Sequence, residues 1–296
     1  MSNFDEFKEH LVSADRSPAT IRAYLADMRG FTHWFEQTNG QTLTIQTATP
    51  TDIKEYRQYL LVTKGFKAAT VNRKLAAINA WLKWGLDFGL IDHNPAMRIK
   101  WVEQQPLAPK WLIKKDAYRV VRWFEERLQT STSGRRVVAL RNLTIVKLIL
   151  NSGLRAGEVC ALTLGDITIR ARKGDVNVRG KGRKQRTIPL NKIVREALND
   201  WLEVREAADH RNLFMSGTGL PLETSAIRRF FAKAQQATGI EVTAHILRHT
   251  FAKRLRSQGV SLEQVSTLLG HSSIDTTAIY TVPSRQDLTQ AVETLE

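Results

Sequence analysis

The sequence predicts a mainly helical protein that carries one small antiparallel β-sheet. Apolar residues recur at three- and four-residue spacing over most of the chain, the pattern of amphipathic helices packed on a core. Between residues 166 and 190 that period gives way to alternation, with β-branched residues and glycine-containing turns, the pattern of short strands. A stretch without periodicity, WVEQQPLAPK at 101–110, holds two prolines and interrupts the helices. At 296 residues the chain is long enough to bury two cores. The expected organisation is a helical domain over 1–99, an interdomain linker over 100–110 and a second domain over 111–296.

The elements follow in order. SPATIRAYLADMRGFTHWFEQT opens with Ser17 as N-cap and Pro18 at the first helical position. Ile21, Leu25, Met28, Phe31 (or Thr32) and Phe35 then mark its apolar face. TPTDIKEYRQYLL repeats the opening with Thr49 and Pro50, and ATVNRKLAAINAWLKWGLDFGLI gives a long helix ending around Gly89. Past the linker come a helix over about 114–129, a loop TSTSGRR and a helix VVALRNLTIVKLILNSG. LRAGEVCAL follows as a short helix, and DITIRARKGDVNVRGKGRKQRTIPL as the sheet. Helices return from Asn191 to the end. The tail SRQDLTQAVETLE forms the last, capped by Ser284, with Leu288, Ala291 (or Val292) and Leu295 on one face.

Hydrophobic residues make up 42% and aromatic residues 8%, ordinary for a globular protein. No apolar run approaches the roughly 18 residues that cross a bilayer. The start, MSNFDEFKEH, is charged and amphipathic where a secretory signal would be apolar, so a cytoplasmic protein is expected. Cys160 is the only cysteine, which excludes an intramolecular disulfide and a cysteine-cluster zinc site. Its apolar neighbours predict a buried small hydrophobe. The net charge of +15 favours a polyanionic partner, most often nucleic acid. The first hundred residues carry 13 basic and 10 acidic side chains, and the rest carry 31 and 19, so the excess lies in the second part.

Several clusters there could bear chemistry. His245 and His249, four apart on a helix, could face a metal together. The intervening Ile-Leu-Arg lacks the glutamate of the metalloprotease pattern, and Arg248 would oppose a cation, so no metal or cofactor is expected. Packing in a helical core accounts for His249; His245 and Arg248 share a face at i, i+3. Arg155 begins a helix with Glu158 three residues on, which taken alone reads as a surface ion pair. Residues 170–186 hold eight basic side chains (Arg170, Arg172, Lys173, Arg179, Lys181, Arg183, Lys184, Arg186) and one acid, Asp175. A solvated face is the usual meaning of such a run, but one of a single sign repels itself unless a polyanion neutralises it. Lys181 stands between two glycines, a turn that can bring an ammonium close to a phosphate. Tyr280 ends LLGHSSIDTTAIY, nine residues after His271. On its own it would read as a core or surface aromatic.

As a set, these residues suit attack on a phosphodiester by a protein hydroxyl. Two arginines can grip the non-bridging oxygens, where negative charge gathers. Tyrosine can form a covalent phosphotyrosine that conserves the bond for rejoining. A lysine can protonate the departing oxygen, and histidines can hydrogen-bond the phosphate or help the tyrosine lose its proton. The motifs GLRAGEV, GKGRKQRTIPL, HILRHTFAKRL and LLGHSSIDTTAIYT resemble, in order and spacing, the successive boxes of the tyrosine recombinases of the phage-integrase and Xer-like family.

The resemblance covers most of residues 110–285; the helical first hundred resemble the family's core-DNA-binding domain more loosely. It implies a tyrosine-recombinase catalytic domain with Arg155 and Arg248 gripping phosphate and His245 and His271 supporting. It further implies Lys181 as general acid, Tyr280 as nucleophile and Glu158 as partner of the first arginine. Lys67, Arg73, Lys74, Arg179, Arg183 and Lys184 are the candidate DNA contacts. The implied function is site-specific cutting and rejoining of double-stranded DNA through a 3'-phosphotyrosyl intermediate, in integration, excision or resolution. Implied with it are a tetramer on two duplexes, accessory proteins and no membrane. The chain resembles the shorter, two-domain members, without an arm-binding domain ahead of residue 1. Two other readings are a DNA-binding protein that kept the fold without the reaction, and a relaxing enzyme of type IB topoisomerase kind.

Overall fold

The computed structural model describes residues 3–104, 109–179, 185–205 and 211–270, together with Val292. The chain divides into two compact units, Met1–Pro106 and Leu107–Glu296.

The first unit is a bundle of four helices, α1 (Asn3–Ser13), α2 (Pro18–Asn39), α3 (Pro50–Gln58) and α4 (Ala68–Asp87). Ser17 caps α2 by accepting the Thr20 amide at 3.2 Å, with Pro18 in the first turn. Thr49 and Asp52 form a reciprocal capping box on α3. A π-helical turn, Tyr59–Thr63, continues α3, a feature the apolar spacing does not reveal. Met28, Phe31 and Phe35 of α2 are buried against Tyr56, Ile78 and Trp81, whereas Ile21 and Leu25 are half-buried at its N-terminal end. Phe31 and Tyr56 pack with ring centroids 5.0 Å apart. Two carboxylates of this unit are buried among the described residues, Asp52 in the cap of α3 and Asp27 in the core. Asp27 is buried and receives both Arg73 and Lys74 of α4.

The second unit packs α5 (Lys114–Gln129), α6 (Ser133–Ser152), α7 (Ala156–Ala161), α8 (Lys192–Val204), α9 (Thr224–Thr238), α10 (Ala244–Ser257) and α11 (Leu262–Leu269) around a three-stranded sheet. Its strands are β1 (Ile167–Ile169), β2 (Gly174–Arg179) and β3 (Gln185–Pro189), antiparallel in the order β1-β2-β3. Val176 lies opposite Ile167 and Ile188, which puts Val176, Val178 and Ile188 on the buried face. Helix α6 is nearly all buried from Leu143 to Leu150 and forms the centre. Phe251 and Ala252 of α10 pack on Val265 and Leu269 of α11 in a smaller cluster.

Two expectations about elements need correction. The stretch 130–136 is not all loop, because α6 already begins at Ser133. Thr132 is its N-cap, and its carbonyl accepts from Arg135 and Arg136, so the helix starts ahead of its first apolar residue. Nor do helices run on unbroken after Asn191. The segment 211–222 is irregular, with two isolated bridges, Thr163 to Asn212 and Met215 to Pro221. It is stitched down by Trp201 Nε1 on the Leu213 carbonyl (2.9 Å) and by Arg141 Nη1 on the Met215 carbonyl (2.6 Å). Among the described residues no helix is long and apolar enough to cross a membrane. The expected tail helix from 284 lies outside the described residues, save for Val292.

Candidate active site

Gly153 ends α6 in the left-handed conformation, φ +66°, where a Cβ would come within 2.5 Å of the Phe251 ring. The close approach lets the chain turn at once into α7. Arg155 takes the N-cap position and Glu158 the first turn. The Glu158 carboxylate accepts the Arg155 amide at 2.8 Å and its guanidinium at 2.9 Å.

Two other elements converge on that carboxylate. From β3, Arg186 donates through both terminal nitrogens, at 3.0 and 2.9 Å to the two oxygens, a bidentate fork. From α10, Arg248 Nη1 lies 3.9 Å from Glu158 Oε2. Arg248 also donates to the carbonyls of Gly153 (2.6 Å) and Leu269 (2.8 Å), and the Arg186 Nε donates to that of Leu268 (2.9 Å). Two guanidinium groups therefore clasp the C-terminal end of α11, next in sequence to His271.

Exposure separates the three arginines. The side chains of Arg248 and Arg186 are 3% and 11% exposed, that of Arg155 47%. His245, one turn before Arg248, is exposed, and its Nε2 lies 2.7 Å from Nε2 of the buried His249.

The electrostatics follow from one carboxylate among three guanidinium groups. Burial works to raise the Glu158 pKa, but the hydrogen bonds from Arg186 and Arg155 outweigh it and hold the carboxyl below its ordinary value. His245 is pushed the other way for a base. Burial, then the charges of Arg248 and Arg155, lower its pKa, so the imidazole is neutral at neutral pH. A positive cluster with an exposed arginine and a neutral imidazole at its rim is suited to an anion. Among the described residues no group of three or more histidine, cysteine or carboxylate side chains is placed to hold a metal ion.

The structure thus brings together Arg155, Glu158, His245 and Arg248. Lys181, His271 and Tyr280 lie outside the described residues, as do Arg183 and Lys184. Arg179 ends β2, exposed, with Nη2 3.7 Å from the Asp166 carboxylate. In the first unit, Lys67 is exposed at the N-cap of α4, while Arg73 and Lys74 are both engaged by Asp27. Cys160 is only part-buried, and burial raises its thiol pKa to about 11.

Arg186 is the member of the cluster that reading the basic run as one charged surface passes over. Strand alternation carried the signal. Position 186 is in phase with buried Ile188, so this arginine turns inward while Gln185 and Thr187 turn out.

Residues 125–287 match the phage integrase family, and residues 4–87 match the phage integrase N-terminal SAM-like domain. The chain belongs to the phage integrase family. Among its relatives are two proteins named tyrosine recombinase XerC. That of Corynebacterium glutamicum is 32% identical over 97% of this chain and 89% of its own length. That of Thermodesulfovibrio yellowstonii is 30% identical over 90% and 86%. The fold is also that of solved recombinases. A XerH site-specific recombinase bound to palindromic difH substrate, in a post-cleavage complex, matches with TM-score 0.76 and 22% identity over 94% of this chain and 80% of that one. The XerA recombinase matches with TM-score 0.54 and 25% identity over 99% and 98%. As a family member the chain is a tyrosine-type site-specific DNA recombinase, an enzyme that cleaves and rejoins DNA strands.

Proposed function

We propose that this recombinase cuts DNA with Tyr280, and that the cluster around Glu158 is the part of its active site that receives the scissile phosphate. The observation that carries the reading is the placing of three arginines around one largely enclosed carboxylate, with Arg155 and His245 on the exposed side. Glu158 holds the Arg155 fork in one orientation, so little ordering is left to pay when a phosphate arrives. Arg248 supplies a second positive charge in a low-dielectric setting, where it acts on the reacting phosphate more strongly than it would in water.

In this reaction the Tyr280 oxygen attacks phosphorus and gives up its proton, and a tyrosyl-phosphate bond forms at the DNA 3' side. The 5' oxygen leaves with the bonding pair and takes a proton from Lys181, giving a free hydroxyl. Reversal of the same steps on a second strand rejoins the DNA. His245 and His271 support by hydrogen-bonding the phosphate or receiving the tyrosine proton. The partner is double-stranded DNA at a specific recombination site, bound by a helical core-DNA-binding domain over 1–99 and by a catalytic domain over 111–296, which the linker 100–110 joins.

The deciding experiment is a nicked suicide substrate with wild-type and Tyr280→Phe protein. Phenylalanine removes only the hydroxyl, so the variant should bind DNA and form no covalent adduct. Undiminished adducts would show that another residue is the nucleophile.

The working assembly in this reading is a cytoplasmic tetramer on two duplexes, aided by accessory proteins. The amphipathic pattern at 284–296, about three turns, is too short to be a stable helix alone. Docking on a neighbouring subunit would close a ring and tie each active site to the next. Deleting residues 286–296 should then leave single-site binding near normal and weaken cooperative assembly and recombination. A truncated protein that unfolds without DNA, or one that recombines normally, would end the idea of docking in trans.

A further inference from the structure

His249 has no place in the reaction as set out so far, yet among the described residues it is in direct contact with the exposed His245 of the cluster. The two rings sit one turn apart on α10, with centroids 4.1 Å apart and planes at 75°, and their Nε2 atoms are 2.7 Å from one another. Two nitrogens at that distance share a single proton. If both carried one the hydrogens would collide, and if neither did two lone pairs would face each other. One ring donates and the other accepts.

His249 is buried and His245 exposed. The shared bond therefore occupies the inward nitrogen of His245 and leaves Nδ1 as its other nitrogen. Among the described residues, the charged groups acting on His245 are Arg248 on its own helix and Arg155 on α7, the latter hydrogen-bonded to Glu158. Both guanidinium groups oppose a charge on the His245 ring, so that ring rests neutral and its tautomer is linked to the proton shared with His249. With the proton on His249, His245 must carry its own on Nδ1; with the proton on His245, Nδ1 is bare.

We propose that His249 is a positioning residue for His245. It holds the Nε2 of that ring so that Nδ1 is the nitrogen presented to the DNA phosphate or the attacking hydroxyl. The inference rests on the DNA-cleaving reading of the cluster and adds to it which atom faces the substrate. It also gives the proton a defined course. A proton taken up at Nδ1 leaves Nε2–H donating to a bare Nε2 on His249, so the transient imidazolium keeps a hydrogen-bonded partner and the shared proton stays in place. Without that partner the ring could turn over about its Cβ–Cγ bond and present either nitrogen.

Two substitutions separate positioning from packing. His249→Leu fills space without a hydrogen bond. His249→Gln keeps a side-chain amide near the position of the lost Nε2, able to donate or accept. Histidine-labelled, DNA-free protein read by long-range nitrogen–proton NMR should show one neutral tautomer of His245 in the wild type, a mixture in His249→Leu, and a single tautomer again in His249→Gln. On the suicide substrate, cleavage by the leucine variant should fall on the order of 10–100-fold at unchanged DNA affinity, as when a partner that orients a metal-bound histidine is lost. The glutamine variant should recover most of it.

His245 signals that ignore the leucine substitution would overturn the proposal, and so would wild-type cleavage by that variant. If both variants lose cleavage in step with their melting temperatures, His249 serves packing alone and the proposal also falls. The NMR arm needs neither DNA nor cleavage, so it still reads the histidine pair if Tyr280→Phe shows the nucleophile to be elsewhere.

Discussion

Arg186 and Glu158 are joined by two parallel hydrogen bonds, 3.0 and 2.9 Å long. The same two carboxylate oxygens receive the guanidinium and amide of Arg155. One glutamate thus fastens β3 to the start of α7, and through the Arg186 Nε that strand also reaches the end of α11. Three segments far apart in sequence are thus linked through the Glu158–Arg186 pair, whose side chains are only 10% and 11% exposed. An ion pair so enclosed is strongly destabilising to break, because the partner left behind stays buried without compensation.

This arrangement makes stability depend on pH in a defined direction. The Glu158 carboxyl is held below its ordinary value in the folded chain, so its contribution is fully present above the unfolded carboxylate range. That contribution fades as pH falls through the range and on through the lowered folded value. Glu158→Gln should cost about 3–5 kcal/mol at pH 7, the range for removing one partner of a buried pair. As pH falls through the lowered folded value the wild-type group itself takes up a proton, and the gap should narrow. Urea unfolding of both proteins across pH checks this, and a gap independent of pH would refute it.

The second prediction couples Arg186 to Gly270. That glycine ends α11 at φ +65°, and a Cβ there would sit 2.8 Å from Arg186 Nη1 and 2.9 Å from its Cδ. Gly270→Ala should cost roughly 1–2 kcal/mol from the left-handed backbone, and more from pressing on the guanidinium. Arg186→Lys keeps the charge but loses the fork. Lysine at 186 removes the guanidinium part of the clash, at Nη1 and Cζ, and its unforked end can move aside, so the double variant should be less destabilised than the sum by at least about 0.5 kcal/mol. Strict additivity in thermal or urea unfolding would mean that the two positions do not press on each other.

The helices were legible because their signals are local. Ser17, Pro18, Thr49 and Pro50 sit where caps and first turns require them, and the buried faces follow the apolar spacing. Arg155 and Glu158 were legible as a pair at i, i+3, but as a surface pair. Burial of Glu158 comes from β3 and α10, which are remote in sequence, and no local pattern reports it. The start of α6 was missed because Ser133 and Gly134 contribute no apolar period, although backbone bonds to Thr132 already form there. His249 read as core packing for a similar reason. Spacing shows that it shares a face with His245, and only the folded structure shows their Nε2 atoms 2.7 Å apart.

The third prediction tests the acid. Lys181→Ala should slow strand cleavage by roughly 10²–10⁴-fold, the loss expected for a general acid. A substrate whose bridging 5' oxygen is replaced by sulfur needs no such proton, since a thiolate leaves readily. That substrate should restore cleavage by the variant to near the wild-type rate on the same DNA. A variant equally slow on both substrates would assign Lys181 to binding. Arg179, exposed at the end of β2, should instead change affinity and its salt dependence when replaced by alanine.

The last prediction separates three basic residues at and after the start of α4, Lys67, Arg73 and Lys74, by what they touch. Lys67 is exposed at the N-cap, whereas the Lys74 side chain is 15% exposed and donates to buried Asp27 at 3.0 Å. Arg73 shares that carboxylate from a half-exposed position. Lys74→Ala should therefore destabilise the first unit by about 1.5–3 kcal/mol, the usual cost of a hydrogen bond to a charged group. Lys67→Ala should stay within about 0.5 kcal/mol of wild type. DNA binding should reverse the order. If Lys67 meets a phosphate, its loss lowers the slope of log affinity against log salt by about one unit, uniformly across sequences. The Lys74 charge is already met by Asp27, so its loss should act on binding mainly through the fraction of folded protein. Urea unfolding and a salt titration of DNA affinity on wild type and these two variants read both quantities. A changed salt slope for Lys74→Ala together with unchanged stability would mean that the Asp27 contact gives way to DNA in the complex.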